Sequence, residues 1–434
     1  MALGASEEGW SVNLPDVRTR SLRRGSNLPH VADFNASVVL GAVRRAPEGI
    51  ARTEISEQTG LTVQTVSNIT RRLLSEGLLI EGGRVTGSPG KPRTLLRINA
   101  PGRFAIGMHV DPAVLTYVLL NLDGTIIAKS RVRNPSDISH EELVEVSSSE
   151  VESLISSSGI ERSRITGLGI ASPGPIDTRL GIVVDPPHLK GWKRVHLRQD
   201  LQEATGLPVI LDKDVTAAAV AERWAGAAAE SADFLFLYLG TGLGMGMVIN
   251  DIVVRGSSGN AGDIGHIITG QGTTVCTCGQ RGCHGQAECV GVICSPVTLV
   301  SQAIERGIMA PSPSLPAGEA LTRFPELCDL ASRGSAEAKA ILDHAALRLG
   351  ESLSQVCNLM DPELVVVGGP AWTPAADHYL PRLRQSVQSQ SVAGDIHQLR
   401  LVGTSIGDDV AAVGAGCLVL DSIYSARPDS LMVS

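Results

Sequence analysis

Phe234-Leu-Phe-Leu-Tyr-Leu-Gly-Thr-Gly-Leu-Gly-Met-Gly-Met-Val-Ile-Asn250 holds two apolar runs, Phe234–Leu239 and Met245–Asn250, about a glycine-rich turn. Apolar runs this short, bounded by turn residues, predict buried strands rather than helices. The same grammar occurs earlier: Phe104–Val110, Leu115–Leu122 and Ile126–Val132 read as strands, with Asp123-Gly124 at a hairpin turn. After this first meander come a helix over Glu141–Ser156, strands over Ile165–Ile170 and Val209–Asp212, and a helix over Asp214–Trp224. After the second come a long helix over Ala336–Met360, a buried strand over Leu364–Val367, and an Ala- and Gly-rich helix around Asp408–Leu420. Strands followed by strand–helix units, given twice with variation, predict a two-lobed α/β body over residues 101–434, of the actin-like or ribonuclease-H-like type.

Upstream of Pro101-Gly102 the pattern is different. Phe34, Val38, Val39 and Val43 recur at helical spacing; a short helix fits Thr53–Thr59 with Thr53 as its cap, Gly60 turns the chain, and a third helix runs from near Thr62 to about Glu76. Leu78–Glu81, a Gly82-Gly83 turn, the Gly- and Pro-rich segment 87–92 and the run Thr94–Ile98 predict a two-stranded wing. This order is that of a winged helix-turn-helix over residues 31–100, preceded by a tail, residues 1–30, with four arginines. The third helix leaves Gln64, Thr65, Ser67 and Asn68 outward as candidate base contacts and Arg71 and Arg72 as candidate phosphate contacts.

Charge divides along the same boundary. The chain of 434 residues carries −8 overall, but residues 1–100 carry +4 and the remainder −12. A basic head on an acidic body suits DNA, because neutralising phosphates supplies most of non-specific affinity. The apolar runs are too short to span a bilayer, and Met1 to Trp10 has no secretory pattern, so a cytoplasmic protein with reduced thiols is expected.

Those thiols cluster. His266-x9-Cys276-x-Cys278-x4-Cys283 offers one imidazole and three thiolates, a full tetrahedral set for a structural Zn²⁺ that leaves no position for a catalytic water. Cys289 and Cys294, beyond it, read as core residues. The Gly240–Gly244 turn admits two readings, a cradle for ligand oxygens or a bare hairpin. Asp214, after Asp212-Lys213, is either a general base toward a sugar hydroxyl or a helix cap.

Taken with Gly262-Asp263-Ile264-Gly265-His266, the Cys276–Cys283 run, Ser172-Pro173-Gly174-Pro175-Ile176-Asp177 and Gly191-Trp192, the chain from about Phe34 onward resembles the ROK family of repressors, open reading frames and sugar kinases. The resemblance implies zinc held by His266, Cys276, Cys278 and Cys283, and a sugar site drawn from Asp214, Lys213, Asp263, His266, Gly174 and His188. Asp214 takes the place of the kinases' catalytic aspartate. It also implies that Lys91 and Arg93, at the Gly90-Lys91-Pro92 tip, reach the minor groove or phosphates, and that the body forms homodimers or homotetramers on pseudopalindromic operators.

Departures from the family decide the expected activity. Where family kinases wrap ATP phosphates with Asp-x-Gly-Gly-Thr, this chain has Asp111-Pro112-Ala113-Val114; proline has no N–H, and Cβ atoms stand where backbone must meet phosphate. In the sugar site the family's Asn is Lys213, one Glu is Asp263, a second is Gly285, and an Asn is His188. The expectation is a sugar-responsive transcriptional regulator of carbohydrate-related genes, probing DNA with its head and not acting as an enzyme. An ATP-dependent sugar kinase using Asp214, and a ligand-independent DNA-binding protein with a vestigial pocket, are the alternatives.

Overall fold

The computed structural model describes residues 28–85, 93–134, 138–186, 189, 191–271 and 287–426. The chain opens with α1 (Leu28–Arg44), β1 (Ile50–Ala51), α2 (Arg52–Thr59), α3 (Val63–Ser75), β2 (Leu79–Val85) and β3 (Arg93–Ile98). Next are β4 (Phe104–Val110), β5 (Val114–Asn121), β6 (Ile126–Arg133), α4 (His140–Ser158) and β7 (Ile165–Ser172). They lead to β8 (Ile176–Asp177), β9 (Ile182–Val184), β10 (Arg194–Val195), α5 (Leu197–Thr205), β11 (Val209–Lys213) and α6 (Asp214–Ala225). The following part comprises β12 (Phe234–Leu239), β13 (Leu243–Ile249), β14 (Ile252–Val253), β15 (Ile268–Gln271), β16 (Ala287–Cys289), α7 (Val290–Ile293), α8 (Pro296–Glu305) and α9 (Ala317–Ser332). It ends with α10 (Ala336–Met360), β17 (Leu364–Gly368), α11 (Trp372–Gln390), β18 (Arg400–Gly403) and α12 (Val410–Tyr424).

Two five-stranded sheets share one topology. In the order β11-β7-β4-β5-β6, strands β4 to β6 form an antiparallel meander, and β7 and β11 join beside β4 in parallel. In the order β14-β13-β12-β17-β18, β12 to β14 form the meander, and β17 and β18 add in parallel. This is the repeated lobe expected from the sequence. Helices α6 and α12 contribute to a shared core with residues from both sheets: Val215, Ala218 and Val413 share it with Val118 and Phe236.

Glycine makes that layer possible. A Cβ on Gly414 of α12 would run into the Ala217 carbonyl of α6, and one on Gly169 of β7 would strike the Ala415 carbonyl. A Cβ on Gly246 of β13 would likewise meet the Val215 carbonyl of α6. Backbone meets backbone at these crossings, so side chains are excluded on steric grounds.

The N-terminal elements form their own sheet, β1-β3-β2, around Val39, Val43, Ile55, Val66, Leu73 and Leu96. That cluster is continuous with body residues Leu122, Trp224 and Leu418. The connection at residues 99–102 is fixed too: Asn99 Nδ2 donates to the Gly77 carbonyl at 2.7 Å, and Leu122 N–H donates to the Ala100 carbonyl at 2.9 Å.

Several local expectations need correction. Helix α1 starts at Leu28, inside the stretch read as a tail, with Pro29 in its first turn, where the missing N–H costs nothing. Thr53 is not the cap of α2; Ala51 holds that position and its N–H is satisfied by the Glu54 carboxylate at 2.8 Å. Gly82-Gly83 is no turn but lies within β2, at an irregularity in its pairing with β3. Helices α5, α8, α9 and α11 are additions to the elements expected from the sequence; α9 and α11 carry Pro325 and Pro381 internally.

Candidate functional site

The end of β11 delivers Asp212, Lys213 and Asp214 in succession to the space between the lobes. Their partners come from the segment after β14. Arg255 Nε lies 2.7 Å from Asp212 Oδ2, and Lys213 Nζ lies 2.7 Å from Asp263 Oδ1 and 3.4 Å from the carbonyls of Asn260 and Ala261. Asn260 also pairs through its side chain with both the N–H and the carbonyl of Ile176, each at 2.8 Å. Lys213 is 2% exposed, so its stem is buried while its ammonium meets a half-open carboxylate. Gly174 makes room for that stem: a Cβ there would lie 3.1 Å from Lys213 Cε.

Asp214 starts α6, where the helix N-terminus favours a carboxylate. Its Oδ1 accepts only its neighbour Val215 N–H, at 2.7 Å, among the described residues. Burial pushes its carboxyl up to about 6, opposed by nearby Lys213 and the Val215 N–H and reinforced by Asp111 and Asp263.

Across the crevice, the turn between β4 and β5 carries Asp111, whose Oδ1 accepts the Ala113 N–H at 2.7 Å and whose carboxyl burial pushes to about 6. This turn is packed from the other lobe: a Cβ on Gly318 of α9 would stand 3.1 Å from both Cα and Cβ of Ala113. Among the described residues, the Tyr238 hydroxyl and the Asn134 side-chain carbonyl are buried here without a hydrogen-bond partner. The glycine turn after β12 closes on itself, Gly240 N–H donating to the Gly242 carbonyl at 2.9 Å, and Gly244 and Gly246 serve the packing of α6.

His266 ends a short 3-10 turn, Ile264–His266, leading into β15. Strand β15 pairs with β16 through Gln271 and Ala287, so the segment carrying Cys276, Cys278 and Cys283 begins and ends at one strand pair close to His266 in sequence. Those three cysteines, with His188 and Lys91, lie outside the described residues. The donor set, imidazole plus thiolates on a segment tied at both ends, fits Zn²⁺. Cys289 and Cys294 are buried, as read.

In the N-terminal part, α3 is capped by Thr62, whose hydroxyl accepts the Thr65 N–H at 3.2 Å. Its buried face is Val66, Thr70 and Leu73; Gln64, Asn68, Arg71 and Arg72 are exposed, and Thr65 and Ser67 are half-exposed. Gln64 and Asn68 bond each other at 3.2 Å, and Arg71 reaches Asn68 at 3.5 Å. Arg72 is held within this part by Asp33 at 3.6 Å and Glu76 at 3.7 Å, and Arg93 by Glu54 at 3.9 Å.

Sequence reasoning missed Arg255 and Asn260, whose partners are 43 and 84 residues away, and it missed Arg44. The Arg44 guanidinium, at the end of α1, donates to the carbonyls of Arg223 and Trp224 at the end of α6 and lies 4.3 Å from the Trp224 ring centroid. No local motif marks any of the three.

The ROK family model matches residues 106–422. The xylose repressor of Caldicellulosiruptor bescii is 27% identical over 376 residues, which cover 87% of this chain and 93% of the relative. A glucokinase of Halalkalibacterium halodurans is 27% identical over 321 residues, covering 73% of this chain and 95% of that protein. Among solved structures, a ROK family transcriptional regulator, a homologue of the Escherichia coli Mlc protein, matches with a TM-score of 0.72 and 25% identity over 93% of this chain and 98% of its own.

Proposed function

The chain belongs to the ROK family, and we propose that it is a DNA-binding transcriptional repressor of carbohydrate-related genes whose two-lobed body responds to a sugar or sugar derivative. The observation that carries this reading is α3, a capped helix buried along one face and presenting Gln64, Asn68 and Arg71 to solvent beside the β2–β3 hairpin. That is the arrangement of a recognition helix and wing, and residues 31–100 are proposed as the DNA-binding unit. Support comes from the relatives: the regulators cover 87% and 93% of this chain, against 73% for the glucokinase.

The body is proposed not to act as a kinase. Pro112 and Ala113 stand in the turn that must accept phosphates, and Gly318 is packed against that turn. The zinc site is proposed as structural: His266, Cys276, Cys278 and Cys283 would hold the metal, which would cross-link that part of the chain, and His266 and Asp263 are proposed to orient a ligand. No described helix is long and apolar enough to cross a membrane, and a cytoplasmic homo-oligomer on a pseudopalindromic operator is the proposed working form.

A mobility-shift titration of the full chain on its own upstream region, repeated across sugars, tests the reading. Sequence-specific retention released by a sugar supports it; binding no tighter than to random duplex at low salt refutes it. One observation favours the second reading, a sugar kinase: Asp214 stands at the start of α6 with a carboxyl raised to about 6, as a general base requires. Sugar-dependent ADP release that disappears in Asp214→Asn would establish that reading instead.

A further inference from the structure

The crevice between the lobes has fewer cations than carboxylates. Of the carboxylates at the end of β11 and facing it, Asp212 is matched by Arg255 and Asp263 by Lys213, each at 2.7 Å. Asp214 and Asp111 are left, among the described residues, without a direct ion pair: Asp214 accepts the Val215 N–H, and Asp111 accepts the N–H groups of Ala113 and Val114. Two further polar groups are buried here with nothing to bond among the described residues, the Tyr238 hydroxyl and the Asn134 side-chain carbonyl, and Tyr238 is 4% exposed beside Asp111 and Asp214. Burial raises both carboxyls, and for Asp214 the charges of Asp111 and Asp263 add to it while nearby Lys213 opposes it.

Lys213 does not remedy the shortage, because it is already spent on Asp263 and on the carbonyls of Asn260 and Ala261. Its ammonium donates to three acceptors, as the hydroxyls of a bound sugar would. An uncharged hexose must therefore compete with a tethered ammonium and still leave Asp214 without a direct ion pair. An anionic sugar is opposed by the carboxylates around it.

We propose that the crevice selects an amino sugar, whose ammonium pairs with Asp214 while Lys213 keeps Asp263, so that Asp214 sets this selectivity and the neighbouring Lys213 ammonium limits it. The inference rests on the reading that the body binds a sugar. Hydroxyls of the same ligand meet Tyr238 and Asn134 once the lobes part to admit it.

The test is calorimetry on the full chain at neutral pH, where Asp214 is ionised, with four probes: glucosamine, N-acetylglucosamine, glucose and glucuronate. The acetylated probe keeps the skeleton and removes the charge. Glucosamine is expected to bind at least about tenfold more tightly than either uncharged sugar, with glucuronate weakest, because a buried carboxylate discriminates strongly for a cation. Asp214→Asn is expected to bring glucosamine within about twofold of N-acetylglucosamine. Lys213→Met, which keeps the stem over Gly174 but removes the ammonium, is expected to widen the preference several-fold. Either variant alone suffices if the other fails to unfold cooperatively. Equal binding of glucosamine and its acetylated form by the unaltered chain, or tighter binding of glucuronate, overturns the inference and leaves the sugar-binding reading standing. Silence of all four probes in every protein removes both.

Discussion

Replacing Arg44 by Met is expected to loosen the seat of the N-terminal part on the body. The guanidinium donates to the Arg223 and Trp224 carbonyls, where the C-terminal end of α6 is most electronegative, and lies 4.3 Å from the Trp224 ring centroid. Hydrogen bonds to a charged donor contribute about 1.5–3 kcal/mol, and a desolvated cation over an indole about 2 kcal/mol. Burial of the charge opposes these gains; together with repulsion from Arg223 and Arg45 it lowers the group to about 10. Methionine fills the same groove without charge, so the net loss should be about 2 kcal/mol. Urea unfolding followed by circular dichroism measures it, and a cycle with Trp224→Phe should return a coupling of about 1 kcal/mol. A variant within about 0.5 kcal/mol of the parent, or a cycle with no coupling, refutes the claim that this contact joins the two parts.

Asp111 predicts a pH dependence. Its folded carboxyl is raised from 3.8 to about 6 by burial, so its contribution to stability is fully present below about pH 4 and is lost as pH rises through about 6. Asp111→Asn should remove that slope and be more stable than the parent by about 2 kcal/mol at pH 7.5, with little difference at pH 4; equal urea midpoints at pH 7.5 would contradict the assignment. Asn68→Ala should weaken specific operator binding by about 1–3 kcal/mol while leaving binding to random duplex nearly unchanged, read by competitive mobility shift. Metal analysis should find about one zinc per chain, and Cys278→Ser should lose it and lower the thermal midpoint; an equally stable, metal-free parent would exclude the site.

Periodicity alone was enough for the repeated lobe. The two meanders, the strand at Val209, the helix at Asp214 and the long helix Ala336–Met360 all stand where the alternation of short apolar runs and helical spacing puts them. So do the capped third helix with its polar outer face, and the buried Cys289 and Cys294. These are local properties: burial on one face imprints a period of two or of 3.6 on the chain, and a cap or a turn needs particular residues within a few positions.

What the tertiary structure alone decided concerns pairs far apart in the chain. Nothing near Lys213 tells that Asp263 answers it, nothing near Asp212 tells of Arg255, and Arg44 gains its role only because α6 ends where α1 stops. The glycines at 169, 246 and 414 look alike in sequence, yet each is there because another backbone passes within van der Waals reach. Such facts depend on which elements the fold brings together, and that depends on the summed burial of the whole chain rather than on any one stretch of it.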